Sequence, residues 1–131
     1  LASLRNCDRS VTVGIGAAEY LNLLTKNAPT ITPFTSLQGS LSVICGRLSY
    51  TFGLTGPSLS IDTACSSSLV GTHLASKFLW NRESTSSLAA GVNITLLAYS
   101  YVIFQVSGML APDGRCKTLD KSGDGYVRGE T

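Results

Sequence analysis

The stretch from Ser58 to Trp80 changes its hydrophobic period near the middle. Residues 58–62 (SLSID) alternate polar and apolar side chains, which is the period of a strand with one covered face. From Cys65 onward, apolar residues recur at a spacing of four, at Val70, Leu74 and Phe78, as on one face of a helix. The pattern predicts a short strand, a tight turn and a helix that begins at Cys65.

A stripe of small residues lies along the same predicted helix. Ser67, Gly71 and Ala75 follow one another at a spacing of four, so they share one face. Glycine costs a helix about 1 kcal/mol relative to alanine, and its presence at residue 71 indicates that another element approaches closely. We expect this helix to be central and buried.

Shorter apolar stretches on both sides of this region predict further elements. We expect strands at 11–16 and 88–94, helices at 17–24, 36–50 and 102–109, loops at 27–33 and 81–87, turns at 112–114 and 122–125, and a strand beginning at Tyr126. Gly53, Gly56 and Pro57 should end the helix at 36–50. Strands that alternate with helices indicate a layered α/β fold. The chain opens without a helix start signal and stops inside its last predicted strand, so we expect residues 1–131 to be part of one domain, truncated at both ends.

Composition narrows the possible partners. The chain has 131 residues, 44% of them hydrophobic, which is enough for the core of one modest domain. Only 14% are charged and the net charge is +2, so no nucleic-acid partner is expected. We also see no apolar run long enough to span a membrane and no signal peptide. These features predict a soluble, cytoplasmic protein.

The four cysteines do not form a metal-binding pattern. No two of them make a CxxC pair, and the single histidine cannot complete a zinc site, so no metal is expected. Four free thiols indicate a reducing compartment; two disulfides in a secreted domain are the alternative. Cys65 stands out because the start of a helix favours an anion, and therefore a thiolate. The alternative is a buried cysteine that acts as a small hydrophobic residue.

The residues around Cys65 resemble a known nucleophile motif. The run DTACSSSL from Asp62 to Leu69 closely resembles that of beta-ketoacyl synthases, the condensing enzymes of polyketide and fatty acid synthesis. Other segments match the same family in the same order, namely GRLSY at 46–50, GPS at 56–58, AGVN at 90–93, PDGRCK at 112–117 and DGYVRGE at 124–130. The set is most similar to the ketosynthase domain of a type I polyketide synthase.

The resemblance implies a fold, a reaction and partners. The fold would be the thiolase-like layered α/β/α/β/α fold, of which this chain is part of the N-terminal half. Cys65 would be the nucleophile that carries an acyl thioester, and its backbone N–H would be an oxyanion donor. The acyl group would come from the phosphopantetheine arm of an acyl carrier protein, a malonyl-type extender would be decarboxylated and condensed with it, and the enzyme would be a homodimer. No directly bound cofactor is implied.

Other residues receive lesser roles. The family also uses two histidines and a lysine in its C-terminal half, so we expect this chain alone to be inactive, and we expect His73 to be a packed core or interface residue. Asp62 should fix the turn or cap the helix, and Ser66 to Ser68 should serve packing and capping. Cys116, beside Arg115 and Lys117, is a weak second candidate for a reactive thiol. Arg128 and Glu130 should pair on one face of a strand.

Three alternatives remain open from the sequence. The first is a condensing enzyme of fatty acid synthesis, and the second is a non-catalytic relative that dimerises or sets chain length. The third is a hydrolase with a Cys–His pair. The retained Cys65 argues against the second, and the other motifs do not support the third.

Overall fold

The computed structural model describes residues 5–16, 19–27 and 30–129, which form two compact units that divide after Asn93. The first unit contains strands β1 (Arg9–Ile15), β2 (Ser58–Ile61) and β3 (Ser86–Val92) and helices α1 (Glu19–Asn27), α2 (Pro33–Gly39), α3 (Ile44–Phe52) and α4 (Ser67–Trp80). A short 3-10 helix, Leu41–Val43, precedes α3. The second unit contains helix α5 (Ala98–Val106).

The three strands form a parallel sheet in the order β2-β1-β3. Val11 pairs with Ser58 on one side and with Leu88 on the other, so β1 is the central strand. Parallel neighbours need long crossover connections, and helices supply them here. The three predicted strands at 11–16, 58–62 and 88–94 are confirmed, with ends shifted by one or two residues.

The central strand separates two different layers of side chains. Val11 and Val13 are buried against Cys45 of α3, with the half-buried Ile44 and Leu48 beside them. Because strand side chains alternate between faces, the neighbouring Thr12 points the other way. Its hydroxyl donates a hydrogen bond of 3.0 Å to the carbonyl oxygen of Gly71 in α4. The first unit is therefore a sandwich of α3, the sheet and α4, as the predicted layered α/β class requires.

Helix α4 packs on the sheet through its small residues. Ser67, Gly71 and Ala75 are its buried residues, which confirms the predicted stripe. A Cβ atom on Gly71 would lie 3.6 Å from both Ile61 Cδ1 and Thr12 Oγ1, in ordinary van der Waals contact. The larger residues Val70, Leu74 and Phe78, which form the apolar face predicted from the spacing of four, are only half-buried. They lie on either side of the contact between α4 and the sheet, because the small side chains allow the helix to approach the sheet most closely.

His73 lies on the exposed side of α4. The prediction that it is a packed core residue is therefore wrong for this chain. The stripe of small residues, rather than the histidine, turns toward the sheet because a polar imidazole without a buried partner is more stable in water. Whether His73 lies at an interface stays a prediction.

The predicted helix at 36–50 is divided between two α-helices, α2 and α3, with the short 3-10 helix between them. Helix α2 begins earlier, at Pro33, where proline's fixed φ suits a first helical position. It ends at Gly39, and Ser40 has an extended backbone with φ −78° and ψ 119°. A Cβ atom on Gly39 would lie 2.5 Å from Leu21, so the glycine lets α1 and α2 approach closely. The predicted end at Gly53 is confirmed, since that residue takes the left-handed φ of +66°.

Two predicted elements include residues that lie outside the described ranges. The helix expected at 17–24 is α1, which runs from Glu19 to Asn27. Its expected first residues, 17 and 18, are outside the described residues, as are residues 28 and 29 of the loop expected at 27–33. Of the rest of that loop, Asn27 belongs to α1 and Pro33 to α2, and residues 30–32 are irregular; the Thr32 N–H donates to the Thr35 hydroxyl at the start of α2.

The second unit differs more from the predictions. The helix expected at 102–109 is α5, which begins four residues earlier and ends at Val106. The strand expected at Tyr126 is wrong: Tyr126 forms a single bridge with Leu110. The Arg128 guanidinium lies over the rings of Tyr101 and Phe104 and donates to Thr95 Oγ1. Glu130, its expected partner, lies outside the described residues.

Candidate active site

Cys65 lies in the turn that joins β2 to α4. We call residues 62–66 the Cys65 turn; it follows Ile61, the last residue of β2, and precedes Ser67, the first residue of α4. The cysteine is exposed. The structure therefore places the thiol at the predicted strand-to-helix junction and excludes the alternative of a buried structural cysteine for this part of the chain.

The helix begins two residues later than predicted. The N-cap of α4 is Ser66, so Cys65 precedes the cap instead of occupying the first turn of the helix. The difference arises because Asp62 and Thr63 form a turn of their own before the helix starts. Periodicity alone does not detect such a turn, since hydrogen bonds to side chains stabilise it.

Asp62 fixes the first half of the Cys65 turn. Its Oδ1 atom accepts a hydrogen bond of 3.0 Å from the Ala64 N–H, which is the pattern of an Asx turn. This confirms the first of the two roles expected for Asp62. Ala64 has a φ of +55°, in the left-handed region that residues other than glycine rarely occupy. The backbone immediately before Cys65 is therefore strained and must be held by its surroundings.

Two serines hold the second half of the turn. The Ser66 hydroxyl donates to the Thr63 carbonyl oxygen at 2.8 Å, and Ser66 makes no side-chain cap on α4, so the capping role expected for it is wrong. The Ser67 hydroxyl accepts the Thr63 N–H at 2.9 Å and donates to the Ala64 carbonyl oxygen at 2.6 Å. These bonds tie the turn to the first residue of the helix.

Two glycines of the sheet lie against the N-terminus of α4, next to the Cys65 turn. A Cβ atom on Gly14 would lie 2.7 Å from the Ser68 backbone nitrogen, and one on Gly91 would collide with the Ser68 hydroxyl. Residue 14 therefore has to be glycine, because the obstacle there is the backbone of α4, whereas Gly91 leaves room for the Ser68 hydroxyl in its present rotamer. The packing role expected for Ser68 is confirmed. Sequence reasoning missed the two glycines, although glycine inside a strand often marks a close approach of another backbone.

The other cysteines lie elsewhere. Cys45 is buried in the core between α3 and the sheet and donates to the Leu59 carbonyl oxygen. Cys116 is exposed in the second unit, where its sulfur accepts the N–H of Val127. Cys45, Cys65 and Cys116 form no disulfide, and no group of three metal-binding side chains occurs among the residues that the structure describes.

An ionic cluster organises the loop of the second unit. Lys117 Nζ lies 2.6 Å from Asp124 Oδ1 and 2.9 Å from Asp113 Oδ1. Hydrogen bonds to Asp124 and Asp113 raise the pKa of Lys117. The bond from Lys117 lowers the pKa of Asp113, and bonds from the Ser122 backbone and hydroxyl lower that of Asp120.

Within the described ranges, no helix is long and apolar enough to cross a membrane.

Comparison with known proteins shows close relatives over nearly the whole chain. Over 128 residues it is 43% identical to erythronolide synthase EryA2 of Saccharopolyspora erythraea, which covers 98% of this chain and 4% of that protein. It is 38% identical over 130 residues to the polyketide synthase component of compactin nonaketide synthase from Penicillium citrinum, covering 99% of this chain and 4% of that protein.

A solved structure has the same fold. The ketosynthase from module 6 of the bacillaene synthase of Bacillus subtilis 168 superposes with a TM-score of 0.84 at 40% identity. The match covers 98% of this chain and 21% of that one, so the chain spans about a fifth of the length of a ketosynthase of solved structure. This likeness confirms the thiolase-like fold that the sequence motifs implied.

The family match agrees with both comparisons. Residues 2–131 match the family described as beta-ketoacyl synthase, N-terminal domain. This range contains the sheet, helix α4 and the exposed Cys65 between them. The chain therefore belongs to the beta-ketoacyl synthase family, in the region of that family's N-terminal domain.

Proposed function

We propose that this chain is the N-terminal part of a longer polyketide ketosynthase and that Cys65 is the nucleophile that carries its growing acyl chain. One observation carries the proposal: in a member of this family, the Cys65 thiol is exposed on a turn between a buried sheet and the helix that packs on it. Such a position leaves the sulfur accessible while the scaffold holds its backbone.

The first step is acyl transfer to Cys65. The thiolate attacks the carbonyl carbon of an acyl thioester on the phosphopantetheine arm of an acyl carrier protein, and a tetrahedral oxyanion forms. The oxyanion collapses, the bond to the pantetheine sulfur breaks, and that thiolate leaves and takes up a proton, which balances the one that the Cys65 thiol lost when it became a thiolate. The acyl group is then held as a thioester on Cys65.

The backbone N–H of Cys65 donates to the oxyanion in this step. Amide groups that point at developing negative charge stabilise the transition state without having to reorganise. The N–H belongs to the peptide that joins Ala64 to Cys65, and the Asx turn of Asp62 and the two bonds of Ser67 hold the backbone around that peptide. A fixed peptide is the requirement for such a donor.

The second step forms the carbon–carbon bond. A malonyl-type thioester on an acyl carrier protein loses carbon dioxide, and the resulting carbanion attacks the carbonyl carbon of the Cys65 thioester. The new bond forms, the bond between carbon and the Cys65 sulfur breaks, and the thiolate is restored. Groups that promote decarboxylation come from the remainder of the longer protein.

Several observations weigh against the alternatives. The relatives described above are polyketide synthases, which favours that pathway over fatty acid synthesis. A non-catalytic relative has no need for an exposed thiol on a strained turn. A Cys–His hydrolase would need an imidazole about 3 Å from the sulfur, whereas His73 lies in α4, about 9 Å of helical rise beyond Ser67, the first residue of that helix.

Assembly and location complete the proposal. The longer protein is a homodimer that works inside the cell, where exposed thiols such as those of Cys65 and Cys116 remain reduced. Strand β2, which leads to Cys65, lies at an edge of the described sheet, so its backbone can extend the sheet into a second protomer.

Acylation of Cys65 tests the function. The full-length parent protein is incubated with an acyl thioester, or with the inhibitor cerulenin, and digested for mass spectrometry. We expect a single acyl group on the peptide that contains Cys65 and none in Cys65→Ala. Cys116→Ala, which removes the other exposed thiol, should leave the labelling unchanged. Labelling of equal extent in Cys65→Ala would refute the proposal.

A further inference from the structure

The peptide group between Ala64 and Cys65 is held by the hydroxyl of Ser67. That hydroxyl donates a hydrogen bond of 2.6 Å to the Ala64 carbonyl oxygen, and the Ser67 N–H donates to the same oxygen at 3.1 Å. One residue of α4 thus supplies two donors to a single carbonyl of the Cys65 turn.

The Ser67 side chain is itself fixed. It is buried, with 6% of its surface exposed, and its oxygen also accepts the Thr63 N–H at 2.9 Å. A hydroxyl that both donates and accepts in a buried position has little rotational freedom. The Ser67 hydroxyl therefore bonds to the backbone on both sides of the Ala64 Cα atom. It accepts from the Thr63 N–H and donates to the Ala64 carbonyl oxygen.

This span encloses the strained residue of the turn. A φ of +55° at Ala64 is unfavourable for a residue with a Cβ atom, so the backbone would relax if its partners were removed. Relaxation at Ala64 would rotate the peptide that follows. The Ser67 bonds therefore determine how that peptide is oriented.

The orientation matters because the peptide is planar and trans, so its C=O and N–H point in opposite directions. Holding the Ala64 carbonyl oxygen toward Ser67 aims the Cys65 N–H to the opposite side. We propose that Ser67 is a positioning residue that aims the Cys65 N–H at the oxyanion of the acyl-transfer step. The inference rests on the proposed function, and Ser67 itself does not contact the acyl group.

Two reactions of the same thiol distinguish this role from general support of the fold. Transfer from an acyl thioester passes through an oxyanion, whereas alkylation by iodoacetamide displaces iodide and forms none. In the full-length parent protein, we expect Ser67→Ala to lower the maximal rate of Cys65 acylation about tenfold, because a misdirected donor loses part of its effect. The thioester concentration for half-maximal rate and the alkylation rate should each stay within about twofold.

Thr72→Ala is the matched control. The Thr72 hydroxyl also donates to a backbone carbonyl of α4, that of Ser68, at 2.9 Å, but it is exposed and outside the Cys65 turn. Both reactions should proceed in this variant at the rates of the unmodified protein. A selective loss of acylation in Ser67→Ala alone would support the inference.

Other outcomes overturn the inference or the function separately. If Ser67→Ala acylates at the normal rate, or if acylation and alkylation fall together, Ser67 does not position the donor. If Cys65 of the unmodified protein is alkylated but never acylated, the proposed function itself fails.

Should Ser67→Ala not fold, the double variant Ala64→Gly/Ser67→Ala is compared with Ala64→Gly, because glycine takes a positive φ without strain. The same selective loss is expected there, and equal acylation in the two would refute the inference.

Discussion

Gly14 of the central strand lies directly beneath Ser68, so closely that a Cβ atom on Gly14 would stand 2.7 Å from the Ser68 backbone nitrogen. The obstacle is main chain at the start of α4, which cannot rotate away as a flexible side chain could. The position of the Cys65 turn therefore depends on the absence of a side chain at residue 14.

Gly14→Ala should destabilise the fold and displace the turn. We expect the free energy of unfolding to fall by about 1–3 kcal/mol, the usual cost of overpacking, as measured by urea denaturation. Gly46→Ala is the control, because a Cβ atom there has nothing within 4 Å and the residue lies in α3. It should stabilise the protein by up to about 1 kcal/mol through helix propensity. Equal stability of the two variants would contradict this account.

Thr12→Val should weaken the contact between the sheet and α4. Valine has nearly the shape of threonine but cannot donate to the Gly71 carbonyl oxygen from this fully buried position. We expect a loss of about 1 kcal/mol in the free energy of unfolding, the typical worth of such a bond. Thr25→Val, which removes an exposed threonine bonded to its own helix, should change it by less than about 0.5 kcal/mol. A neutral Thr12→Val would show that this bond contributes nothing.

The ionic cluster of the second unit should respond to pH at both extremes. The hydrogen bond from Lys117 lowers the pKa of Asp113 in the folded state. The contribution of Asp113 to stability is therefore present above the ordinary carboxyl range and is lost as pH falls through the pKa of Asp113 in the folded protein. Bonds to Asp124 and Asp113 raise the pKa of Lys117, so its contribution is present below the ordinary lysine range and lost as pH rises through the folded value. The cluster should therefore be intact between about pH 4 and pH 10.

Carboxyl NMR titration of Lys117→Met checks this cluster. The pKa of Asp113 should rise toward its ordinary value, because Lys117 is the main cause of its lowering. The pKa of Asp120 provides an internal control, since Ser122 lowers it and Lys117 does not. An unchanged Asp113 titration in the variant would show that the ion pair does not persist in solution.

The four cysteines should differ in their reactivity toward a thiol reagent such as DTNB. Cys65 and Cys116 are exposed and should react first, whereas Cys45, with 1% of its surface exposed, should be protected. Cys65→Ala and Cys116→Ala should each remove one fast equivalent. In urea all four thiols should react alike, and rapid labelling of Cys45 under native conditions would be inconsistent with the core described here.

The 131-residue chain alone should catalyse no condensation. Its single histidine, His73, lies on the exposed side of α4, and we propose that the groups for decarboxylation belong to the remainder of the protein. Incubation with an acyl thioester and a malonyl thioester, followed by mass spectrometry of the products, should show no β-ketoacyl product. The full-length parent provides the positive control, and a condensed product from the short chain would contradict the prediction.

The sequence by itself determined the three strands of the sheet, the small-residue face of α4 and the junction at which Cys65 lies. It could do so because hydrophobic period is local: Val11 and Val13 alternate with polar neighbours, and Ser67, Gly71 and Ala75 follow the helical repeat. It also contained the motifs that indicate the family.

Only the tertiary structure decided how the Cys65 turn is built. The late start of α4 and the left-handed Ala64 depend on side-chain bonds from Asp62 and Ser67, which are not periodic. The need for glycine at residue 14 arises where the central strand meets the backbone of a helix that is distant from it in sequence. Periodicity records which face of an element is covered, whereas the geometry of a turn depends on contacts between residues that only the folded chain brings together.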